Sequence, residues 1–195
     1  MRRVIKVGGS LLTREDLQTR LPQRLQEIAD QGRLGSEPVE TWLVVGGGQL
    51  VNAIRELDRL RPLDPTATHW RCIELLHHTL DIVGQWFPEW SRIESRQDFH
   101  GALQQAGRRS VPTLVAVRSF YAPGDSGGLP HDWRTTSDSL AGKLADDIAA
   151  EELVLLKSCA IDPTWGVAEM IERGVIDSAF ATFDDVAWKL RVVSY

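Results

Sequence analysis

Thr41-Trp42-Leu43-Val44-Val45-Gly46-Gly47-Gly48 is the stretch whose reading decides the fold. Five residues suited to a buried strand run into three glycines, and beyond them Val51, Ile54 and Leu57 recur at helical spacing. A strand, a tight turn and a helix in that order form the entrance to a βαβ unit. The same grammar is present upstream, where Val4 to Val7 reads as a first buried strand ending in Gly8-Gly9-Ser10. Apolar recurrence from Leu21 through Leu25 and Ile28 predicts a helix from near Leu21 to Gly32, with Pro22 tolerated only in its first turn. Ile73, Leu76, Leu80 and Val83 predict a long helix over Thr66 to Phe87, closed by Pro88.

Downstream, a short helix is expected over Asp98 to Gln105 and a third strand over Thr113 to Val117. Tyr121 to His131 is rich in glycine and proline and too long for a mere connection, which makes it a candidate lid. Thr135-Thr136-Ser137-Asp138 supplies caps for a helix from Ser139 to about Ala150. Glu152 to Leu156 is a fourth buried strand ending in Lys157-Ser158, followed by helices at Val167 to Arg173 and Asp184 to Leu190 and a closing strand, Arg191 to Ser194. Alternation of strands and helices around a mostly parallel sheet gives an α/β fold, and 195 residues suit one domain spanning 1–195.

Composition narrows the function. With 27 acidic and 22 basic residues, the chain has no electrostatic footprint for nucleic acid or an anionic membrane, so small-molecule partners are expected. Cys72 and Cys159 are the only cysteines and form no C-x-x-C pair, which leaves no disulfide framework or thiolate metal site to argue from. Met1 to Val7 breaks at Lys6 before a signal sequence forms, and no apolar run is long enough to span a membrane. A cytoplasmic protein is expected. His69, His77 and His78 crowd one helix, but His77 and His78 are adjacent and project in different directions, so they read as helix surface or a dimer face rather than metal ligands.

Three features carry phosphate chemistry. Lys6-Val7-Gly8-Gly9-Ser10 joins a lysine to glycines whose bare backbone lets amides approach phosphate oxygens, and then to a hydroxyl. Gly46-Gly47-Gly48 feeds a helix whose first amides and dipole favour an anion, and three glycines cost too much conformational entropy to be explained as a turn alone. Thr135-Thr136-Ser137-Asp138-Ser139-Leu140-Ala141-Gly142-Lys143 places an aspartate at a helix start, which alone would be an ordinary cap. Together the three outweigh their bland readings. The dinucleotide fingerprint fails because Val51 stands where its third glycine belongs, and Gly142-Lys143-Leu144 lacks the hydroxyl of a P-loop. Gly124-Asp125-Ser126-Gly127-Gly128 is similar to the nucleophile segment of trypsin-like proteases, but that fold needs two β-barrels, and a flexible loop is the better reading.

In this order and spacing, Lys6-x-Gly8-Gly9-Ser10, Gly46-Gly47-Gly48 and Ser137-Asp138-Ser139-Leu140-Ala141-Gly142 resemble the amino acid kinase family. The resemblance covers nearly the whole chain. It implies a three-layer αβα sandwich, ATP with Mg²⁺, and in-line phosphoryl transfer without a covalent intermediate. Lys6 would neutralise charge on the transferring group, Gly8, Gly9 and Ser10 would cradle phosphates, Gly46, Gly47 and Gly48 would face the acceptor, and Asp138 would orient the lysine. The family's late glycine-rich segment with a second lysine is missing: Gly174 to Phe183 holds Asp177-Ser178-Ala179-Phe180 and no lysine. Lys157, followed by Ser158 on the nucleotide side, is expected to supply that charge, with Lys143 in reserve.

The short length and Leu156-Lys157-Ser158 are similar to a small subgroup that phosphorylates aminomethyl-furanmethanol phosphate to its diphosphate on the way to methanofuran. That resemblance implies a phosphate acceptor, and Arg118 or Arg134 could bind it bidentately. A carboxylate kinase and a non-catalytic nucleotide-binding module of the same fold are the alternatives. Family likeness also implies a homodimer or higher homo-oligomer paired through Thr66 to Phe87.

Overall fold

The computed structural model describes residues 1–31, 39–105, 111–125, 128–184 and 186–195. Six parallel strands form one sheet in the order β3-β4-β2-β1-β5-β6. They are β1 (Arg2–Val7), β2 (Glu40–Val45), β3 (Ser91–Ile93), β4 (Thr113–Val115), β5 (Glu152–Lys157) and β6 (Lys189–Ser194). The helices are α1 (Leu17–Gln31), α2 (Gly48–Leu60), α3 (Pro65–Trp86), α4 (Arg96–Gln104), α5 (Ser137–Asp147) and α6 (Val167–Glu172).

Strand alternation builds two cores. Val4, Trp42, Val44, Leu153 and Leu155 face one way and pack with Leu140, Ala141 and Leu144 of α5, while Ile5, Val7, Leu43, Val154 and Leu156 face the other and pack with Leu17, Leu21, Leu25 and Ile28 of α1. The layers are helix, sheet, helix. β1, β2 and β5 are buried along nearly their whole length. That explains why they read as continuous apolar runs. Period-two alternation also puts Lys6 and Lys157 on the α5 face of the sheet, with Val4 and Leu155.

Several expectations need correction. α1 starts at Leu17, so Pro22 lies inside the helix beyond its first turn. Leu17 buries beside Leu21 in the second core, which outweighs the one hydrogen bond proline removes. The expected end at Gly32 lies outside the described residues. The third strand stops at Val115, and a 3₁₀ turn over Val117–Ser119 follows, because the Ala116 amide already bonds to the Ile93 carbonyl. The helix expected over Asp184 to Leu190 does not form. Lys189 and Leu190 pair with Glu152 and Leu153 in β6, and Trp188 turns inward against Phe180 and Phe183, its indole donating to Asp146 at 2.6 Å. α5 starts at Ser137 and ends at Asp147, before Ala149 takes a left-handed φ of 48°.

The expected lid is partly anchored: Tyr121 is buried and Asp125 is held by Arg96 at 2.5 Å and by the Ala122 amide at 2.8 Å. None of its described residues lines the main cleft. Ser126 and Gly127, the centre of the protease-like segment, lie outside the described residues.

Candidate active site

A cleft of about 720 Å³ opens over the carboxyl ends of β1 and β5 and the start of α2. Such an edge is where parallel sheets collect ligands. The strands leave their last side chains and first turn amides pointing out of the sheet. The Gly8 amide bonds back to Leu156 and the Gly46 amide to Val7, so both glycine turns are stitched to the strand next door.

The turns also touch each other. A Cβ on Gly9 would lie 2.1 Å from the Gly48 amide nitrogen, and one on Gly48, at φ 54°, would lie 2.5 Å from the Gly9 carbonyl oxygen. Only two residues without side chains allow this approach. Ser10 and Ser158 join their hydroxyls at 2.7 Å at the rim, tying the turn after β1 to the end of β5.

At the floor, Asp138 sits in the first turn of α5 between two ammonium groups. Lys6 Nζ is 2.9 Å from one carboxylate oxygen and Lys157 Nζ 2.6 Å from the other, and all three residues are buried. Burial works to raise the Asp138 carboxyl, but the charges of Lys6 and Lys157 together hold it below the usual carboxylate range. Burial pushes Lys157 below the ordinary lysine value, the Lys6 ammonium adds to that, and Asp138 opposes it. Two charges of one sign share a single counter-ion, so the triad stays net cationic.

Asp177, which sequence reasoning noticed only as the place where a lysine is missing, holds the start of α5. It accepts from the Thr136 amide (2.9 Å) and hydroxyl (2.7 Å), the Ser139 amide (3.1 Å) and hydroxyl, and the Phe180 amide (3.1 Å). No local motif announces the hold on α5, because Thr136 and Ser139 lie some forty residues earlier in the chain.

The structure brings together Lys6, Gly8, Gly9, Ser10, Gly47, Gly48, Asp138, Lys157 and Ser158 around the cleft, with Gly46 immediately behind Gly9. It does not bring Lys143, Arg118 or Arg134. Lys143 points from the other side of α5 and pairs with Asp147 at 2.9 Å. Arg118 is exposed and donates to the Glu94 carbonyl, and Arg134 is exposed and doubly bonded to Asp132. The arginines that do line the cleft are Arg55, whose guanidinium lies 4.8 Å from the Trp133 ring centre, and Arg173, 4.5 Å from that of Trp165. Arg55 was legible: Gly48, Val51, Asn52 and Arg55 stand at helical spacing on one face of α2.

Among the described residues, four cations face the cleft against the carboxylates of Asp138 and Asp177, although the whole chain is acidic. Such a cleft can gather several phosphate groups. Its two carboxylates are engaged, one by ammonium groups and one by hydrogen bonds, so the donor set fits a metal carried on phosphate oxygens rather than one caged by the protein. Among the described residues, one group has metal-ligand spacing, His77, Asp81 and Glu94 on α3 and beyond β3, but Arg92 pairs with both of its carboxylates.

Comparison with known proteins agrees with this geometry. No family model matches the chain. A [5-(aminomethyl)furan-3-yl]methyl phosphate kinase of Methanocaldococcus jannaschii is 23% identical over 146 residues, which cover 73% of this chain and 61% of that protein. Among solved structures, uridylate kinase from Archaeoglobus fulgidus matches with TM-score 0.61 at 20% identity, covering 100% of this chain and 91% of that one. UMP kinase from Ureaplasma parvum matches with TM-score 0.63 at 16% identity (100% and 89%), and UMP kinase from Bacillus anthracis with 0.64 at 13% identity (99% and 86%). The fold is the one these kinases share.

Proposed function

We propose, from a fold shared with uridylate kinases and in keeping with the amino acid kinase family that the motifs resemble, that this chain is an ATP-dependent phosphotransferase acting on a small anionic metabolite. In the finer reading, the acceptor is a phosphate monoester, aminomethyl-furanmethanol phosphate or a close analogue, converted to its diphosphate. The observation that carries the reading is Asp138 held between Lys6 and Lys157 at the mouth of two interlocked glycine turns.

An anionic acceptor oxygen attacks the γ-phosphorus, the bond to the β,γ-bridging oxygen breaks, and ADP leaves. Charge spreads over the transferring group, so positioning and neutralisation dominate over base catalysis. Lys6 and Lys157 present that neutralising charge, and Asp138 keeps both ammonium groups aimed. Gly8, Gly9 and Ser10 offer backbone and hydroxyl donors to the phosphates, and Gly47 and Gly48 offer theirs at the acceptor end. Mg²⁺ held by phosphate oxygens would supply further charge neutralisation there. Asp138 is locked and low in pKa, which leaves it no capacity as a general base. A phosphate or carboxylate acceptor is already ionised at neutral pH and needs none, whereas an alcohol would. Lys157 supports the idea that a lysine from a different strand replaces the family's missing late one.

The test is ADP release with Mg-ATP and a panel of aminomethyl-furanmethanol phosphate, uridylate, isopentenyl phosphate, aspartate and acetylglutamate. Turnover with the furan phosphate alone is expected. Turnover with aspartate or acetylglutamate would favour a carboxylate kinase, and ATP binding with silence across the panel would favour a non-catalytic module.

A further inference from the structure

Among the described residues, two arginines line the cleft, and their charges are answered differently. Arg173 lies on the Trp165 ring and also pairs with Glu169 at 2.9 Å. Arg55 is exposed, lies 4.8 Å from the Trp133 ring centre, and among the described residues has no carboxylate at ion-pairing distance. Asp58, one turn further along α2, would be its natural partner. That carboxylate is committed elsewhere: one oxygen accepts from the Leu63 amide and the other from the Trp133 indole N–H, each at 2.7 Å. The Leu63 amide first, and then the indole, hold the Asp58 carboxyl below the usual carboxylate range, so it is an ionised acceptor at neutral pH.

Three side chains thus form a relay. The bond to Asp58 sets the tilt of the indole against α2, and the ring face so held carries the guanidinium. An exposed arginine otherwise spreads over many rotamers, which an anion must freeze out on binding. Contact through the ring face uses none of the guanidinium's five N–H donors, which stay available for a phosphate.

The relay also stands in a useful place. Arg55 and Trp133 line both the main cleft and the smaller cavity behind Gly47, so they sit where the two spaces meet. Arg55 and Asp58 belong to α2, whereas Trp133 lies five positions before Asp138 in the segment that leads into α5. One hydrogen bond and one ring contact therefore couple the cation on α2 to the element that carries the centre of the triad.

We propose that Asp58 and Trp133 are positioning residues: Asp58 sets the indole, the indole face sets Arg55, and Arg55 meets a phosphate of the bound substrate with its guanidinium already in place. The word substrate rests on the kinase reading, whereas the relay and its hold on a phosphate can be read by spectroscopy and binding alone.

The first readout needs no ligand. In ¹H–¹⁵N spectra of the full chain, the heteronuclear NOE of Arg55 Nε reports whether this side chain is rigid on the picosecond–nanosecond timescale. Asp58→Ala is expected to make it mobile and to shift the Trp133 indole resonance upfield. Trp133→Phe removes the N–H but leaves the bond between Asp58 and Leu63, so it separates the relay from any loosening at the end of α2; it should mobilise Arg55 as well. An Arg55 side chain that is mobile in the unaltered chain, or that stays rigid in either variant, overturns the relay.

Affinity is the second readout, from titrations with aminomethyl-furanmethanol phosphate and with inorganic phosphate, followed on the backbone amides of Gly47 and Gly48. Either variant is expected to weaken binding about two- to fivefold, the loss of one exposed cation–π contact. Arg55→Met should weaken it about tenfold or more, the loss of charged hydrogen bonds. In the Arg55→Met background, Asp58→Ala and Trp133→Phe should cost nothing further, because the relay has nothing left to aim. Additive losses, unchanged affinity, or no binding of either phosphate overturns the positioning role. In ADP release with the furan phosphate, Asp58→Ala should raise the acceptor KM by the same factor, with kcat within twofold and the KM for ATP unchanged; a fall in kcat alone would reduce Asp58 to a structural residue. A relay that controls phosphate affinity without any turnover leaves the positioning standing and removes the kinase.

Discussion

Replacing Lys157 by methionine tests the triad directly, because it deletes one ammonium group while preserving the length of a stem that is nearly buried. Asp138 loses its 2.6 Å partner but retains Lys6 at 2.9 Å, so no buried charge is left unpaired. The variant also removes the desolvation of one ammonium and its repulsion by the other, the two effects that depress Lys157. Stability should therefore change by less than about 1 kcal/mol, since buried charges replaced by apolar groups of similar volume are often neutral. Activity should not survive so well. Losing one positioned donor to transition-state charge costs about 10²–10³-fold in kcat. Asp138→Asn inverts the pattern, leaving two buried ammonium groups without a counter-ion at a cost of about 3–5 kcal/mol. In a chain of this size that lowers Tm by roughly 6–20 °C. Coupled ADP release at saturating Mg-ATP and acceptor, together with thermal melts by circular dichroism, measures both. Folded Lys157→Met retaining more than a tenth of the parent kcat would refute the reasoning, as would an Asp138→Asn melt that matches the parent.

Four further expectations follow from the geometry. Asp138 has a folded pKa below its unfolded one, so its stabilisation is present above about pH 4 and lost as pH falls through the folded value. Lys157 is also depressed, so its burial costs stability below the folded pKa, and that cost fades as pH rises towards the ordinary lysine value; kcat should fall in the same window, with Lys157→Arg moving the alkaline limb upward in a pH–rate profile. Gly9→Ala drives a methyl against the Gly48 backbone, which has no side chain to move aside, and should cost about 1–3 kcal/mol in a urea melt and abolish Mg-ATP binding by calorimetry. Asp177→Asn turns one acceptor oxygen into a donor facing amides and hydroxyls, and should cost about 1–3 kcal/mol while lowering kcat more than the KM for ATP, because Asp138 rides on the helix it anchors.

The parts of the molecule that were readable are those whose signal is local. β1, β2 and β5 announce themselves because strands covered on both faces must be apolar throughout, and the glycine turns because nothing else permits their approach. Asp138 was readable as part of an ordered motif, and the position of Lys157 from its place at the end of the fourth strand. β3 was not readable: Ser91-Arg92-Ile93 has no pattern of its own and exists through pairing with β4. The Asp184 to Leu190 helix was a plausible periodicity defeated by tertiary packing, with Trp188 committed to the aromatic group of Phe180 and Phe183. Arg118 and Arg134 carry the right chemistry but are occupied elsewhere, by a carbonyl and by Asp132, whereas Arg55 stands at helical spacing from Gly48.

The position of β1 governs when this site can come into being. It is the first strand of the chain, yet it lies between β2 and β5, and its partner on one side is some 150 positions downstream. Lys6 emerges well before Asp138, which supplies its counter-ion, and Lys157 follows later still. Sheets with such distant pairings form slowly, since loop-closure entropy is spent before any contact rewards it. Phosphate binding is thus a property of the completed sheet and not of any early fragment. Nucleotide capture during refolding should arrive together with the last cooperative step, which would make the ligand a reporter of finished folding rather than a nucleus for it.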